Sequence, residues 1–273
     1  MAKHNEWKKT RTIYWKDERN DDFDEVGLKR PPVPENYPYI RKNPFGIFFG
    51  GILYHLIAKP IFWIYCTCKG IRFKNKHYLK QLHGGGAFLY SNHTAITDVF
   101  KFQAKAFFFG RKVNILGFSD TLSMKFVRGL ARALGYLPVP LKGDLNNLVA
   151  LSECCNYLIT KKKQFVLIYP EAHIWPYYTR IRNFPDGSFN YPARYNLPVV
   201  PVVTTWRKPL VGKKPKQTVI FGEPIFPDPN LGLTESKNQL HDECLRRMKE
   251  ISESVNQYKY INYVYQGENK NND

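Results

Sequence analysis

From residue 85 onward the chain alternates short apolar runs with amphipathic stretches, and this alternation limits the fold more than any other feature. Runs of five to seven residues without polar breaks suit strands buried on both faces, and longer segments with apolar residues every three or four positions suit helices packed over them. The strand candidates are AFLYS, VNILGF, YLPVPL, QFVLIYP, LPVVPVV and QTVIFG. Between them, LSMKFVRGLARALG and DLNNLVALSECCNYLITKKK read as helices. In the second, Asp144 is placed to cap the helix, and Leu145, Leu148, Val149, Ser152, Cys155, Leu158 and Ile159 form the expected core face. The implied class is α/β, a mixed central sheet flanked by helices. At 273 residues with 43% apolar composition, one catalytic-sized domain is expected.

Four segments are expected along the chain. Residues 1–43 are a polar, Pro-rich arm with little apolar surface to bury, read as an extended or weakly ordered lead-in without chemistry. Residues 44–70 begin with PFGIFFGGILYHLIAKPIFWIYCTC, the most lipid-like part of the sequence. Lys59-Pro60 interrupts it after fifteen residues, short of the ~20 that a spanning helix needs. The expectation is two short helices bent at Lys59-Pro60, lying in the membrane interface with Trp63 and Tyr65 at headgroup level and Lys59 and Lys69 snorkelling outward. Residues 71–240 are the catalytic domain, and 241–273 a C-terminal helix with a polar tail.

The net charge of +18 is concentrated in the body, where residues 44–240 hold 26 Lys/Arg against nine Asp/Glu. Such an excess suits anionic lipid, acidic thioester donors or nucleic-acid phosphate, and charge alone does not choose among them. Five cysteines without a C-x-x-C pair, and a start, MAKHNEWKKT, without the apolar region of a signal peptide, suggest a reducing, cytosol-facing location.

Two strand ends carry titratable groups. In SNHTAITDVF, His93 falls in the loop after AFLYS and Asp98 in the first turn of the next helix. Open α/β sheets bind ligands at such strand ends, and a carboxylate beside an imidazole fixes its tautomer and stabilises its protonated form, the arrangement of a general base. In FVLIYPEAHIWP, Glu171 and His173 follow a second strand. His93, Asp98, Glu171 and His173 could alternatively ligate zinc or iron in a hydrolase. A non-catalytic basic binding protein is a further alternative, with Phe107, Phe108 and Phe109 between Lys105 and Arg111 meeting membrane or single-stranded nucleic acid.

The order of these blocks with GYLPVPLKGD and NLPVVPVV resembles the glycerolipid acyltransferases of the lysophosphatidic acid acyltransferase type, from about residue 85 to 226. Asn92, His93 and Asp98 match that family's N-H-x4-D block in full. Tyr169, Pro170 and Glu171 match the next strand end, but Ala172, His173 and Ile174 stand where Gly, Thr and Arg are usual, and Leu141 stands in place of another Arg. The resemblance implies acyl transfer from acyl-CoA or acyl carrier protein to a lyso-lipid hydroxyl at a membrane surface, without metal, cofactor or nucleic acid. His93 would act as base and Asp98 would orient it. Asn92, Glu171 and His173 would shape the acceptor site, and Lys142, Arg180 and Arg182 would replace the missing arginines as cations for an acceptor phosphate. No G-x-S-x-G nucleophile motif is present, and the glycines Gly84 to Gly86 read as a turn.

Overall fold

The apolar runs become a seven-stranded sheet in a computed structural model that describes residues 7–23, 30–109, 111–123 and 125–267, with the side chains of 105–109 and 125–127 outside the description. The strands are β1 (Thr12–Trp15), β2 (Arg72–Lys74), β3 (Ala87–Ser91), β4 (Val113–Gly117), β5 (Tyr136–Pro138), β6 (Phe165–Ile168), β7 (Val199–Arg207), β8 (Lys216–Phe221) and β9 (Asn262–Tyr265). The helices are α1 (Trp7–Thr10), α2 (Pro44–Ile52), α3 (Lys59–Cys68), α4 (Asp98–Phe109), α5 (Lys125–Leu134), α6 (Leu145–Thr160), α7 (Asn190–Arg194) and α8 (Leu233–Glu253). The large sheet runs β2-β8-β7-β3-β6-β4-β5, and every pair is parallel except the antiparallel β7–β8 ribbon. The central strand β3 is buried along its whole length, which is why AFLYS reads as a continuous apolar run.

Successive residues of β3 feed opposite layers, as the pleat requires. Phe88 and Tyr90 pack with Leu151 and Cys155 of α6 and Leu240 and Cys244 of α8. Ala87 and Leu89 pack with Phe102 of α4 and with Leu79 and Leu82 of the 3-10 turn before the strand. Asp144 caps α6 as expected, accepting from the Asn147 amide at 3.2 Å. Ser152, Cys155 and Ile159 of the expected core face of α6 are buried, but the face departs from the expected one elsewhere. Leu145 and Val149 are exposed, while Asn147, Leu151 and Cys154 are buried. The cause is the arm: Asn147 Nδ2 donates to Pro34 O at 3.1 Å, so a polar residue faces inward where it has backbone to satisfy it.

That arm is not a loose lead-in. β1 pairs in parallel with β9, bringing the two ends of the chain together, and Val33 and Tyr39 are buried in the α6 and α8 layer. Ile13, Val33 and Tyr39 anchor the described part of the arm together with Trp15 and Phe23, whose rings pack on Trp175. At the other end, α8 begins at Leu233 and packs along β7, so a boundary at 241 would cut a helix that belongs to the domain. Residues 268–273 of the expected tail lie outside the described residues.

Residues 44–68 form one continuous helical stretch of 25 residues, long and apolar enough to cross a membrane. The break expected at Lys59-Pro60 does not occur. A π stretch, Leu53–Ala58, joins α2 to α3, and the Lys59 amide reaches Tyr54 O, five residues back. The looser turn ends immediately before Pro60, whose missing N–H then falls in the first turn of α3, where it costs little. Lys59 does not snorkel outward either. It is 3% exposed, with Nζ 3.1 Å from His55 Nδ1. Trp63 is exposed, as an interfacial residue would be.

Candidate active site

Strands β3 and β6 are parallel neighbours, with Tyr90 opposite Ile168, so the loops that follow them emerge side by side. This adjacency brings His93 and the Tyr169–Glu171 segment together across more than seventy residues of sequence. The ring of His93 stacks on Tyr169 at 4.1 Å, and its Nδ1 lies 3.4 Å from Asp98 Oδ2. The imidazole is therefore held on one face and at one nitrogen, which turns Nε2 toward open space.

Asp98 is fully buried at the N-terminus of α4. Its Oδ2 accepts from the amides of Thr94 at 2.7 Å and Ala95 at 2.9 Å, and its Oδ1 accepts from Lys101 Nζ at 2.7 Å and Gln217 Nε2 at 3.0 Å. Burial by itself would raise this carboxyl's pKa. Lys101, the bond to His93 and the other donors outweigh it, and the group is held well below the usual carboxylate range. Asp98 is thus a permanent anion facing His93. Lys101, also buried, bonds Thr204 Oγ1 at 2.6 Å and so ties this centre to β7. Sequence reasoning missed Lys101 and Gln217. Lys101 follows Asp98 by one helical turn, the spacing at which side chains meet, and that signal could have found it.

Asn92 is buried with both ends of its amide used: Nδ2 donates to Thr204 O at 3.0 Å, and Oδ1 accepts from the Thr204 amide at 2.7 Å. It clamps the start of the loop to β7 and does not present itself to a substrate. Glu171, also buried, accepts from the His93 amide at 3.4 Å and from Arg182 Nη2 at 3.1 Å. Burial raises the Glu171 pKa against the pull of Arg182. Arg182 itself is buried and donates to Glu18 O at 3.0 Å and to His173 O. It holds the loop and the arm together rather than waiting for a phosphate. His173 is paired with Asp22 of the arm, Nδ1 to Oδ2 at 3.1 Å. Lys142 and Arg180 are exposed and do not line the cavity that His93 faces.

A metal centre of His93, Asp98, Glu171 and His173 does not fit this arrangement. Among the described residues no group of three or more His, Cys, Asp and Glu is placed to hold a metal ion. Asp98 and Glu171 are each neutralised by a buried cation, and His173 turns to Asp22. The side chains of Lys105 and Phe107 to Phe109, invoked for a non-catalytic binding surface, lie outside the described residues. Arg111 donates to Gly85 O.

The space that His93 faces is a cavity of about 550 Å³ walled by Ile96, Val99, Leu116, Val139, Leu148 and Ile168. It is mostly apolar and runs under the carboxyl ends of β4 and β6. Its charged lining residues are Asp120 and, from the arm, Asp22 and Arg30. Arg30 lies across the Phe118 ring, 3.7 Å from its centroid. A cation from the arm was not expected from the sequence, because nothing in residues 1–43 signals proximity to a loop sixty positions later.

A family model for acyltransferases matches residues 70–205, which contain β2 through most of β7 and His93, Asp98, Lys101, Tyr169, Glu171 and Arg182. The chain belongs to the acyltransferase family. Among solved structures, the acyltransferase is similar to the 1-acyl-sn-glycerophosphate (LPA) acyltransferase PlsC from Thermotoga maritima, at 14% identity and a TM-score of 0.50, over 78% of this chain and 89% of that one. At that identity the likeness speaks for the fold: a mixed sheet flanked by helices, as the sequence led us to expect. A search of curated proteins finds no match.

Proposed function

We propose that this acyltransferase moves a fatty acyl group from a thioester, acyl-CoA or acyl carrier protein, to the hydroxyl of a lyso-phospholipid or related glycerolipid. The observation that carries the reading is His93 held between Tyr169 and the buried Asp98 anion, at the mouth of an apolar cavity able to take an alkyl chain. His93 Nε2 takes the acceptor's hydroxyl proton as its oxygen attacks the thioester carbonyl. Asp98 stabilises the imidazolium so formed. Collapse of the tetrahedral adduct breaks the C–S bond, and the leaving thiolate recovers the proton from His93, giving an ester and a free thiol. No side-chain nucleophile is required. The likeness to a protein described as acting on lysophosphatidic acid favours a glycerolipid acceptor.

The placement we infer is on the membrane surface, at its cytosolic face. Phe45, Phe48, Phe49, Leu56 and Ile64 are exposed along Pro44–Cys68, an apolar surface that water does not favour. The other side of the same helix packs on the domain, with Phe62 stacked on Phe100 of α4 at 5.0 Å. A helix flanked along its second half by the catalytic domain suits burial in one leaflet better than passage through both.

The test is transfer by purified protein from labelled acyl-CoA and acyl carrier protein donors to a panel of lyso-lipids, with products identified by mass spectrometry. His93→Ala is expected to lower kcat by roughly 10²- to 10⁴-fold with its fold unchanged, the range for a lost general base. Near-normal turnover in that variant, or no transfer by the wild type to any acceptor, would refute the reading.

A further inference from the structure

A second cavity, about 290 Å³, lies beneath the apolar helix, and Tyr136 is the wall it shares with the one that His93 faces. Its lining carries five basic residues, Arg41, His55, Lys112, Arg132 and Lys162, and among the described residues no aspartate or glutamate. A carboxylate, Glu153, enters only in the adjoining outer space around Arg41 and Arg132. Cations gathered in partly buried space repel one another, and proteins ordinarily meet that cost with carboxylates.

Burial first, and neighbouring cations second, weaken proton binding at two of these groups. Lys112 is pushed down to about 7, first by burial and then by Arg41 and Lys59. Arg41 is lowered by burial and by Arg132. Lys112 donates to Ala133 O at 2.7 Å, and Arg132 to Pro38 O, so both are positioned by backbone and not neutralised by it. Arg41 has no hydrogen-bond or ion-pair acceptor among the described residues. Its guanidinium lies against the helix at Gly50, where an added Cβ would come 2.7 Å from Nη1. Only glycine there lets the guanidinium lie so close.

We propose that this cavity binds the phosphate of an anionic phospholipid headgroup, at a site separate from acyl transfer. The observations favour a lipid over a soluble phosphate because Ile47, Gly50, Gly51 and Tyr54 of the apolar helix form one wall. With the exposed phenylalanines of that helix in the acyl region, the cavity sits at headgroup depth. The inference rests on this interfacial placement and not on the identity of the acceptor, so it is tested by binding alone. Phosphatidylglycerol serves as the probe because its glycerol backbone is already fully acylated, so with no thioester donor present its binding is read without turnover.

The experiment measures binding of the full chain to phosphatidylcholine vesicles with and without phosphatidylglycerol, for wild type, Arg41→Gln/Lys112→Gln, and a charge-matched control, Lys213→Gln/Lys214→Gln, on an exposed loop. The wild type and the control are expected to prefer the anionic vesicles by at least about tenfold, and the cavity variant to lose most of that preference. Because removing either cation relieves repulsion, the cavity variant should also melt a few degrees higher than wild type in neutral detergent, and this shift serves as its folding control. Equal losses in both double variants would overturn the proposal, since binding would then follow net charge alone. Inorganic phosphate or glycerol 3-phosphate displacing the protein from vesicles at matched phosphate concentration would overturn the lipid assignment.

Discussion

Lys101→Met tests whether the buried ion pair organises the centre around His93. The Lys101 ammonium lies 2.7 Å from Asp98 Oδ1 with both side chains fully buried, and Met replaces it with a chain of similar length and no charge. Removing one partner of such a pair costs roughly 3–5 kcal/mol, because the remaining carboxylate is left uncompensated. In a domain of this size, where about 1 kcal/mol shifts Tm by ~2–4 °C, the variant should melt on the order of 10 °C lower at neutral pH. The sign of the pH dependence follows from Asp98. In the wild type its carboxyl titrates below the unfolded value, so it contributes stability above that value and loses it as pH falls. In the variant, burial is far less opposed and the carboxyl should rise above its unfolded value, so the charged form destabilises at neutral pH and protonation relieves it. The melting gap between variant and wild type should therefore narrow from about pH 8 to about pH 5, and the acid limb of kcat/KM should move to higher pH. Adding Asp98→Asn to Lys101→Met removes both charges and should recover much of the melting temperature without recovering activity. Thermal scans and pH–rate profiles of the three proteins check this. A Lys101→Met protein that melts with the wild type at both pH values would refute the argument.

Three further outcomes are expected. Ala172 stands in the left-handed region at φ 62°, which costs a side-chain-bearing residue ~1–2 kcal/mol, so Ala172→Gly should stabilise by about 1 kcal/mol net of chain entropy, read as a rise in urea midpoint. Phe48→Asp/Phe49→Asp removes two exposed apolar anchors worth roughly 1.5–3 kcal/mol each when buried in lipid, and should turn a protein that resists high-salt extraction into one that salt releases in membrane fractionation. Lys142→Gln and Arg180→Gln, both off the cavity, should leave KM unchanged for acceptors with and without a phosphate, checked by steady-state kinetics.

The pairing of His93 with Asp98 was legible in the sequence because a short local spacing sets it, and the core strands were legible because strands buried on both faces are apolar throughout. The same local logic placed the Asp144 cap and the α/β class. What the sequence could not carry was any contact decided by parallel pairing of distant strands. Arg182 and Asn92 read as substrate ligands, yet the adjacency of β3 with β6 and with β7 gives both terminal nitrogens of Arg182 and both ends of the Asn92 amide partners inside the protein. The arm shows the limit most clearly. Its backbone pairing and the few side chains it buries leave no periodic trace, while they bring Asp22 and Arg30 to the cavity. The continuity of Pro44–Cys68 was hidden for a related reason, since a π turn ahead of Pro60 is a matter of hydrogen-bond register that residue identity alone does not specify. Local chemistry is written in neighbouring residues; the partners that decide which polar groups remain available to a substrate are set only when the sheet closes.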